Sequence, residues 1–443
     1  MKSQLFLFGL SLLLLSCAST TKTPVGQSSI TKWKDNKKAA ISITYDDGII
    51  TQFTVARPIM NRLGLPATFY VITGKIEGAA KGKFIGRPKA TIIAETATIK
   101  TNAENFFERA SLIAFTGTSE AILYHSNAGS LFERGKIQEA YALIDEGYEK
   151  LRKGQLRNTE EVVFHDNKED TTTWNDLKLY AAEGHEIASH TVTHPRLAVL
   201  DEANLLYEIE QSKTDVQQFM GEKYTFSAEC PYGTEDERVM EYAHKVYPSL
   251  RNRMPEPYLH ELNRASKEVP SKSTKEYVQW QRGPLSKHSM ELMKSWVDTC
   301  LANDNIWLVL VFHGVNEFGW EPKTAEELTT YFSYIKEKES AIWVATFADV
   351  TKYIRSRKNA TITSTVQGRK IIVHASTTLD SEVYDVPLTV KTYIREQWQT
   401  VTLRRGKTRG DTALKIYKDT IGKYVLFNVL ANGTDELVII RSK

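Results

Sequence analysis

The chain has 443 residues, enough for two or three domains, and its hydrophobic fraction of 41% and charged fraction of 25% are ordinary for a folded protein. A formal charge of +3 is too small to argue for nucleic acid or an anionic membrane surface as a partner. Apart from Cys17 the chain carries Cys230 and Cys300, too few for a disulfide framework, and both are expected to be free.

The N-terminus, "MKSQLFLFGLSLLLLSCAST", has a lysine in a short polar start and then an apolar core. That core falls short of the roughly 20 residues a membrane helix needs, so residues 1–17 read as a signal peptide. Cys17 directly after Leu14-Leu15-Ser16 resembles the lipobox of bacterial lipoproteins, which implies a lipid on Cys17. A protein so anchored sits on a membrane of the bacterial cell envelope, on its periplasmic or cell-surface side. Residues 18–36 open as "ASTTKTPVGQSS", polar and without hydrophobic period, and are expected to be a tether.

From Lys37 strands and helices alternate. "KAAISITY" reads as a strand, "TVARPIMNRLG" as an amphipathic helix stopped by Gly64, and "PATFYVI" as a strand. Between about residues 78 and 165 the rhythm breaks into an insertion, helix-rich at its end in "LFERGKIQEAYALIDEGYEKLRKG". It resumes with the helix "WNDLKLYAAEG" and the strand "HEIAS", and later with "YTFSAE", "EYVQWQ", "IWLVLVF" and "AIWVATF" separated by helical segments. Such alternation predicts an α/β architecture, a mostly parallel sheet or barrel, over 37–357. Residues 358–443 change to short alternating runs such as "KIIVHAS" and "KYVLFNVL", and are expected to form a small all-β sandwich.

Three polar features end three apolar strands. "ISITYDDGII" closes on Asp46 and Asp47, adjacent carboxylates that repel unless something positive sits beside them. "SHTVTHPRL" follows "HEIAS" and spaces His190 and His194 as H-x-x-x-H. "LVLVFHG" ends on His313. Strand ends converge at a barrel mouth, and two imidazoles with one carboxylate form a tripod for a divalent metal. The expected positive group is therefore a metal ion.

"TYDDG" and "SHTVTH" resemble the first two motifs of the polysaccharide deacetylase (NodB-homology) family of carbohydrate esterases. "ECPYG" is similar to its third motif and "LVLVFHG" to its last, so the likeness runs from about Lys37 to Tyr353, interrupted by the insertion. The resemblance implies a distorted (β/α) barrel that removes acetyl groups from an acetylated poly- or oligosaccharide, at nitrogen or at oxygen. It implies Asp46 as general base, and Asp47, His190 and His194 as ligands of a metal, most often zinc, with cobalt or nickel as alternatives. His313 would be the acid, and the backbone N–H of Tyr232 would help to hold the oxyanion. Relatives often place an arginine beside the base, just before Pro-Tyr-Gly. Here Ala228-Glu229-Cys230 stands there, leaving Arg251, Arg253 or Arg282 as substitutes, and no match to the family's fourth motif, an Asp that tunes the histidine, is found. The missing arginine and the insertion motivate a rival expectation: a glycan-binding or envelope-assembly protein on a catalytically weakened barrel. Trp280, Trp296, Trp307 and Trp343 are expected in the core, with Trp280 in a segment that could reach the sugar cleft, and His185 is expected to pack beneath the site.

Overall fold

The computed structural model describes residues 24–158, 172–233, 236–406, 411–431 and 437–441. The signal peptide, Cys17 and His165 lie outside the described residues. In chain order the strands are β1 Ser28–Ile30, β2 Ala39–Tyr45, β3 Thr68–Val71, β4 Glu186–Ser189, β5 Ser227–Ala228, β6 Ser249–Leu250, β7 Leu259–Leu262, β8 Tyr277–Arg282, β9 Ile306–Phe312 and β10 Ile342–Val344. They are followed by β11 Thr361–Gln367, β12 Lys370–Ser376, β13 Leu388–Tyr393, β14 Val401–Arg405, β15 Thr412–Leu414, β16 Ile416–Lys418, β17 Lys423–Val429 and β18 Leu437–Arg441.

β2 and β9 are buried along their whole length, as continuous apolar β-branched runs require when helices cover both sheet faces. Around them the order is β6-β5-β4-β3-β2-β9-β8-β7, with β10 pairing the start of β2. The pairings within this sheet are parallel, which brings the carboxyl ends of the strands to one rim. The sheet curls without closing, since β6 and β7 end the order unpaired with each other. This is the distorted barrel, and its C-terminal rim is where active sites of such sheets are built.

The insertion contains helices at Lys89–Glu95, Phe106–Ala114, Ser119–Glu133 and Ile137–Arg152, so it is helical from early on rather than only at its end. Its own core of Phe106, Leu112, Ile113, Ile144 and Tyr148 also takes in Val199 from the barrel. "YHSNAG", residues 124–129, lies inside the Ser119–Glu133 helix. There Gly129 leaves room for Arg196, since a Cβ would fall 2.2 Å from Arg196 Cδ. His125, without assigned role in the sequence, is 1% exposed. Its Nδ1 lies 2.8 Å from the Ala110 carbonyl, and its Nε2 accepts the Arg196 N–H at 2.9 Å.

That clamp is pH-sensitive. Burial lowers the His125 pKa to about 4, whereas an unfolded histidine binds its proton near ~6.5. Stability is therefore fully present above the unfolded value and is lost as pH falls toward the folded one, by at most about 3 kcal/mol. Denaturant unfolding at pH 7 and pH 4.5 should show a loss that is smaller in a His125→Gln variant. Equal losses in both proteins would refute the assignment.

The C-terminal residues form two facing antiparallel sheets, β1-β13-β17-β16 and β11-β12-β18-β14-β15. Between them lie Ile371, Val373, Trp398, Val425, Phe427 and Ile439. The tether expectation for 18–36 needs correction at its end: Ser28–Ile30 pair antiparallel with Val390–Thr392. An edge strand needs only backbone pairing, so a polar "SSI" gives no hydrophobic period to betray it. Beyond it Trp33 is fully buried with Trp307, Phe347 and Leu388, joining barrel and sandwich. Among the described residues no helix is long and apolar enough to cross a membrane.

Candidate metal centre and active site

Asp46 and Asp47 follow β2 at the rim. The Asp46 N–H donates to the Phe312 carbonyl at 3.0 Å, continuing the β2–β9 ladder one residue past the strand. Gln52 Nε2 donates to the carbonyls of both Asp46 and His313, at 2.5 and 2.8 Å, and so ties the two strand ends together. Asp47 then turns into the left-handed region, φ 75°, which sends neighbouring carboxylates in different directions.

His190 directly follows β4, and its N–H donates to the Val71 carbonyl at 2.9 Å. Its Nδ1 lies 2.9 Å from the Glu229 carbonyl, which fixes that nitrogen as the protonated one and leaves Nε2 as a lone pair. The turn to His194 holds two left-handed residues, Thr191 and His194, at φ 66° and 62°. Thr191 Oγ1 accepts the His194 N–H at 3.1 Å. Glu208 braces the same turn by accepting the N–H groups of Val192 and Thr193 at 2.9 and 2.8 Å. Nothing in the sequence marked Glu208, which lies in an ordinary amphipathic stretch.

These turns bring Asp47, His190 and His194 together, with one ligand-type atom from each all within 4.8 Å of one another. Asp47 Oδ1 is 3.6 Å from His190 Nε2 and 3.4 Å from His194 Nε2. Burial lowers the pKa of His190 to about 4 and of His194 to about 3, so both are neutral at physiological pH, the form that ligates. Two imidazole nitrogens and one carboxylate fit zinc, cobalt or nickel and leave open positions.

The positive group on the other aspartate belongs to the protein. Arg251, directly after β6, donates from Nη1 and Nη2 to the two oxygens of Asp46 at 2.6 and 2.7 Å. It also donates to Thr44 Oγ1 at 2.8 Å and pairs with Glu229 Oε1 at 2.8 Å. Asp46, Glu229 and Arg251 are all at most 2% exposed. Burial alone would raise the Asp46 pKa, but Arg251, with His313 and His190, holds it well below the usual carboxylate range. Glu229 is pushed upward by its burial. Of the three candidate arginines only Arg251 reaches the base. Arg253 pairs with Glu237, and Arg282 donates to the carbonyls of Gln281 and Arg264.

His313 Nε2 lies 3.3 Å from Asp46 Oδ2, and its ring meets Trp320 edge-on at 4.8 Å. Tyr232, at φ 63°, stands on the opposite flank, its ring 4.8 Å from His194 and 4.3 Å from the Arg196 guanidinium. Trp320 and Tyr232 are 42% and 40% exposed, so two aromatic faces border the site. Trp280 is 5% exposed and belongs to the barrel core, where β8 alternation puts it inside. His185 is also internal: its Nδ1 accepts the Ala67 N–H and its Nε2 lies 2.8 Å from Asn61 Oδ1. Cys230 and Cys300 are buried and free.

Residues 132–247 match the family model described as polysaccharide deacetylase. A gellan lyase from Bacillus sp. is 30% identical over 253 residues, covering 52% of this chain and 10% of that protein. The chain thus spans about a tenth of that relative's length. Among solved structures, a family 4 carbohydrate esterase from Streptomyces lividans is 10% identical over 71% of this chain and 95% of its own, with a TM-score of 0.34. A peptidoglycan deacetylase from Bacillus subtilis is 11% identical over 73% and 94%, with a TM-score of 0.31. The matched residues contain the His190–His194 turn and the Pro-Tyr-Gly segment, so it is this part of the chain that is similar to the polysaccharide deacetylase family.

Proposed function

We propose that this chain is a metal-dependent hydrolase that removes acetyl groups from a glycan, N-acetyl or O-acetyl. The observation that carries the proposal is the meeting of two constellations at one rim: the Asp47–His190–His194 triangle, and Asp46 pinned by Arg251 beside His313. Asp47, His190 and His194 hold the ion, with zinc first and cobalt or nickel as alternatives. When bound, it supplies Lewis-acid activation of water and of the acetyl carbonyl.

Asp46 is the general base. Its ion pair keeps it deprotonated, and the bidentate contact fixes the plane of the carboxylate. His313 is the acid: its Nε2 lies within reach of the Asp46 carboxylate, so a proton taken by the base can be returned to the leaving nitrogen or oxygen. The Tyr232 N–H donates to the carbonyl oxygen as charge develops there. Arg251 supplies the partner whose absence motivated the binding-protein reading, and so favours catalysis over it.

The test is mass spectrometry of acetate loss from N-acetylglucosamine oligomers, peptidoglycan fragments and acetylated xylo-oligosaccharides. Loss from at least one class, reduced at least ~100-fold by Asp46→Asn, is expected. Retention of full activity by that variant would remove Asp46 from the mechanism, and no loss from any class would favour the binding protein. We further propose that a lipid on Cys17 holds the protein to the bacterial envelope. A Cys17→Ser chain still found wholly in the membrane fraction would end that idea.

A further inference from the structure

One guanidinium beside the site is not accounted for by the chemistry above. Arg264 follows β7, and among the described residues its side chain has no hydrogen-bond or ion-pair partner; its Nη1 is shielded by protein yet unsatisfied. The group is over the Trp320 ring, 5.7 Å from its centroid, and Trp320 in turn touches His313. It also lies within electrostatic reach of Asp46, Asp47 and Glu229. None of these reaches it with a hydrogen bond or ion pair. Asp46 and Glu229 are already engaged by Arg251, and Asp47 points to the two histidines.

The surroundings make room for this side chain. Gly283 follows β8, and a Cβ there would stand 3.1 Å from Arg264 Cδ and 3.8 Å from Nη1. Arg282 is held back by backbone carbonyls and by the Trp280 face, so the two arginines do not share one role. The result is a half-buried cation with no directly bonded carboxylate, laid on an aromatic that is 42% exposed, at the edge of the reacting residues. A guanidinium without a hydrogen-bonded partner in that setting favours a carboxylate. An aromatic face beside it suits the apolar face of a sugar ring.

We infer that Arg264 binds a carboxylate carried by the glycan next to the acetylated unit, so that the chain selects acidic acetylated glycans over neutral ones. This rests on the deacetylase reading above. The carboxylate has two chemical sources, a uronic acid within the chain or a carboxyl-bearing substituent on a sugar, and the substrates tested separate them.

The experiment compares kcat/KM for an acetylated uronate-containing oligosaccharide, its carboxyl-reduced counterpart, and a peptidoglycan fragment with and without its substituent carboxylate esterified. For one of these pairs the full-length, metal-loaded protein should prefer the charged member by about tenfold or more, through KM. Arg264→Gln should bring that ratio near one, and Arg264→Lys should keep part of it. Gly283→Ala, which crowds Arg264 without removing it, should lower it as well. Equal turnover of charged and neutral members by the wild type would overturn the inference and leave the deacetylase reading intact. So would an equal fall in kcat on both members in Arg264→Gln, which would place Arg264 in the reaction instead. If nothing is turned over, calorimetric binding of the deacetylated charged and reduced oligosaccharides decides. A charge preference lost in Arg264→Gln would support the assignment, and no preference would refute it.

Discussion

Replacing Arg251 with leucine should abolish measurable turnover and destabilise the barrel. Arg251 is fully buried, and its loss leaves Asp46 and Glu229 without the guanidinium that bonds to both. Removing one member of such a buried pair costs about 3–5 kcal/mol, because the remaining charges lose their partner and stay out of water. The cluster can relax in one way only, by protonating a carboxylate, and a protonated Asp46 cannot serve as the base. Activity should therefore fall even in the fraction that remains folded. Arg251→Lys tests the geometry separately: it restores one charge but not the two parallel bonds to Asp46, so stability should recover more than kcat does. Denaturant midpoints and acetate release on the same preparations measure both. Wild-type kcat in a folded Arg251→Leu protein would show that Asp46 is not the base.

His313→Ala should lower kcat by about 100- to 10,000-fold on a glycan while sparing an activated aryl acetate. The asymmetry follows from the leaving group. A sugar amine or alkoxide departs only as it gains a proton, whereas a stabilised phenolate leaves without one. His313 is placed for this by Gln52, which holds its carbonyl beside that of Asp46, and by Trp320 against its ring. Burial lowers its pKa while Asp46 and Asp47 raise it, so the protonated form depends on its carboxylate neighbours. Steady-state kinetics on both substrate types checks the split. An equal loss on both would assign His313 to support of the metal turn rather than to proton donation.

The readable parts of the site were those that a strand end fixes. Asp46, Asp47, His190 and His313 each stand at or just past a buried strand, and His194 lies one turn on, so parallel pairing alone brings them to one rim. Arg251 was one of three candidates because its strand, Ser249–Leu250, is two residues long and has no period to orient it. Only the sheet order, which puts that strand next to Ser227–Ala228, shows which arginine faces the base. Trp280 lies in the core, as its place in an apolar strand suggests, while Trp320 in the loop after His313, which no periodicity marks, carries the exposed face. The insertion betrayed its last helices by charge spacing. Its contact with the metal turn rests on His125, Gly129 and Arg196, separated by some seventy residues in the chain, and no local pattern announces it.

The most direct test of the account is metal add-back to stripped protein, followed by acetate release from a glycan that the wild type deacetylates. Zinc should restore release at one equivalent in the wild type, and should restore none in His194→Ala at the same loading. Release by the stripped protein, or by His194→Ala at the wild-type rate, would contradict a reaction built on the Asp47–His190–His194 triangle.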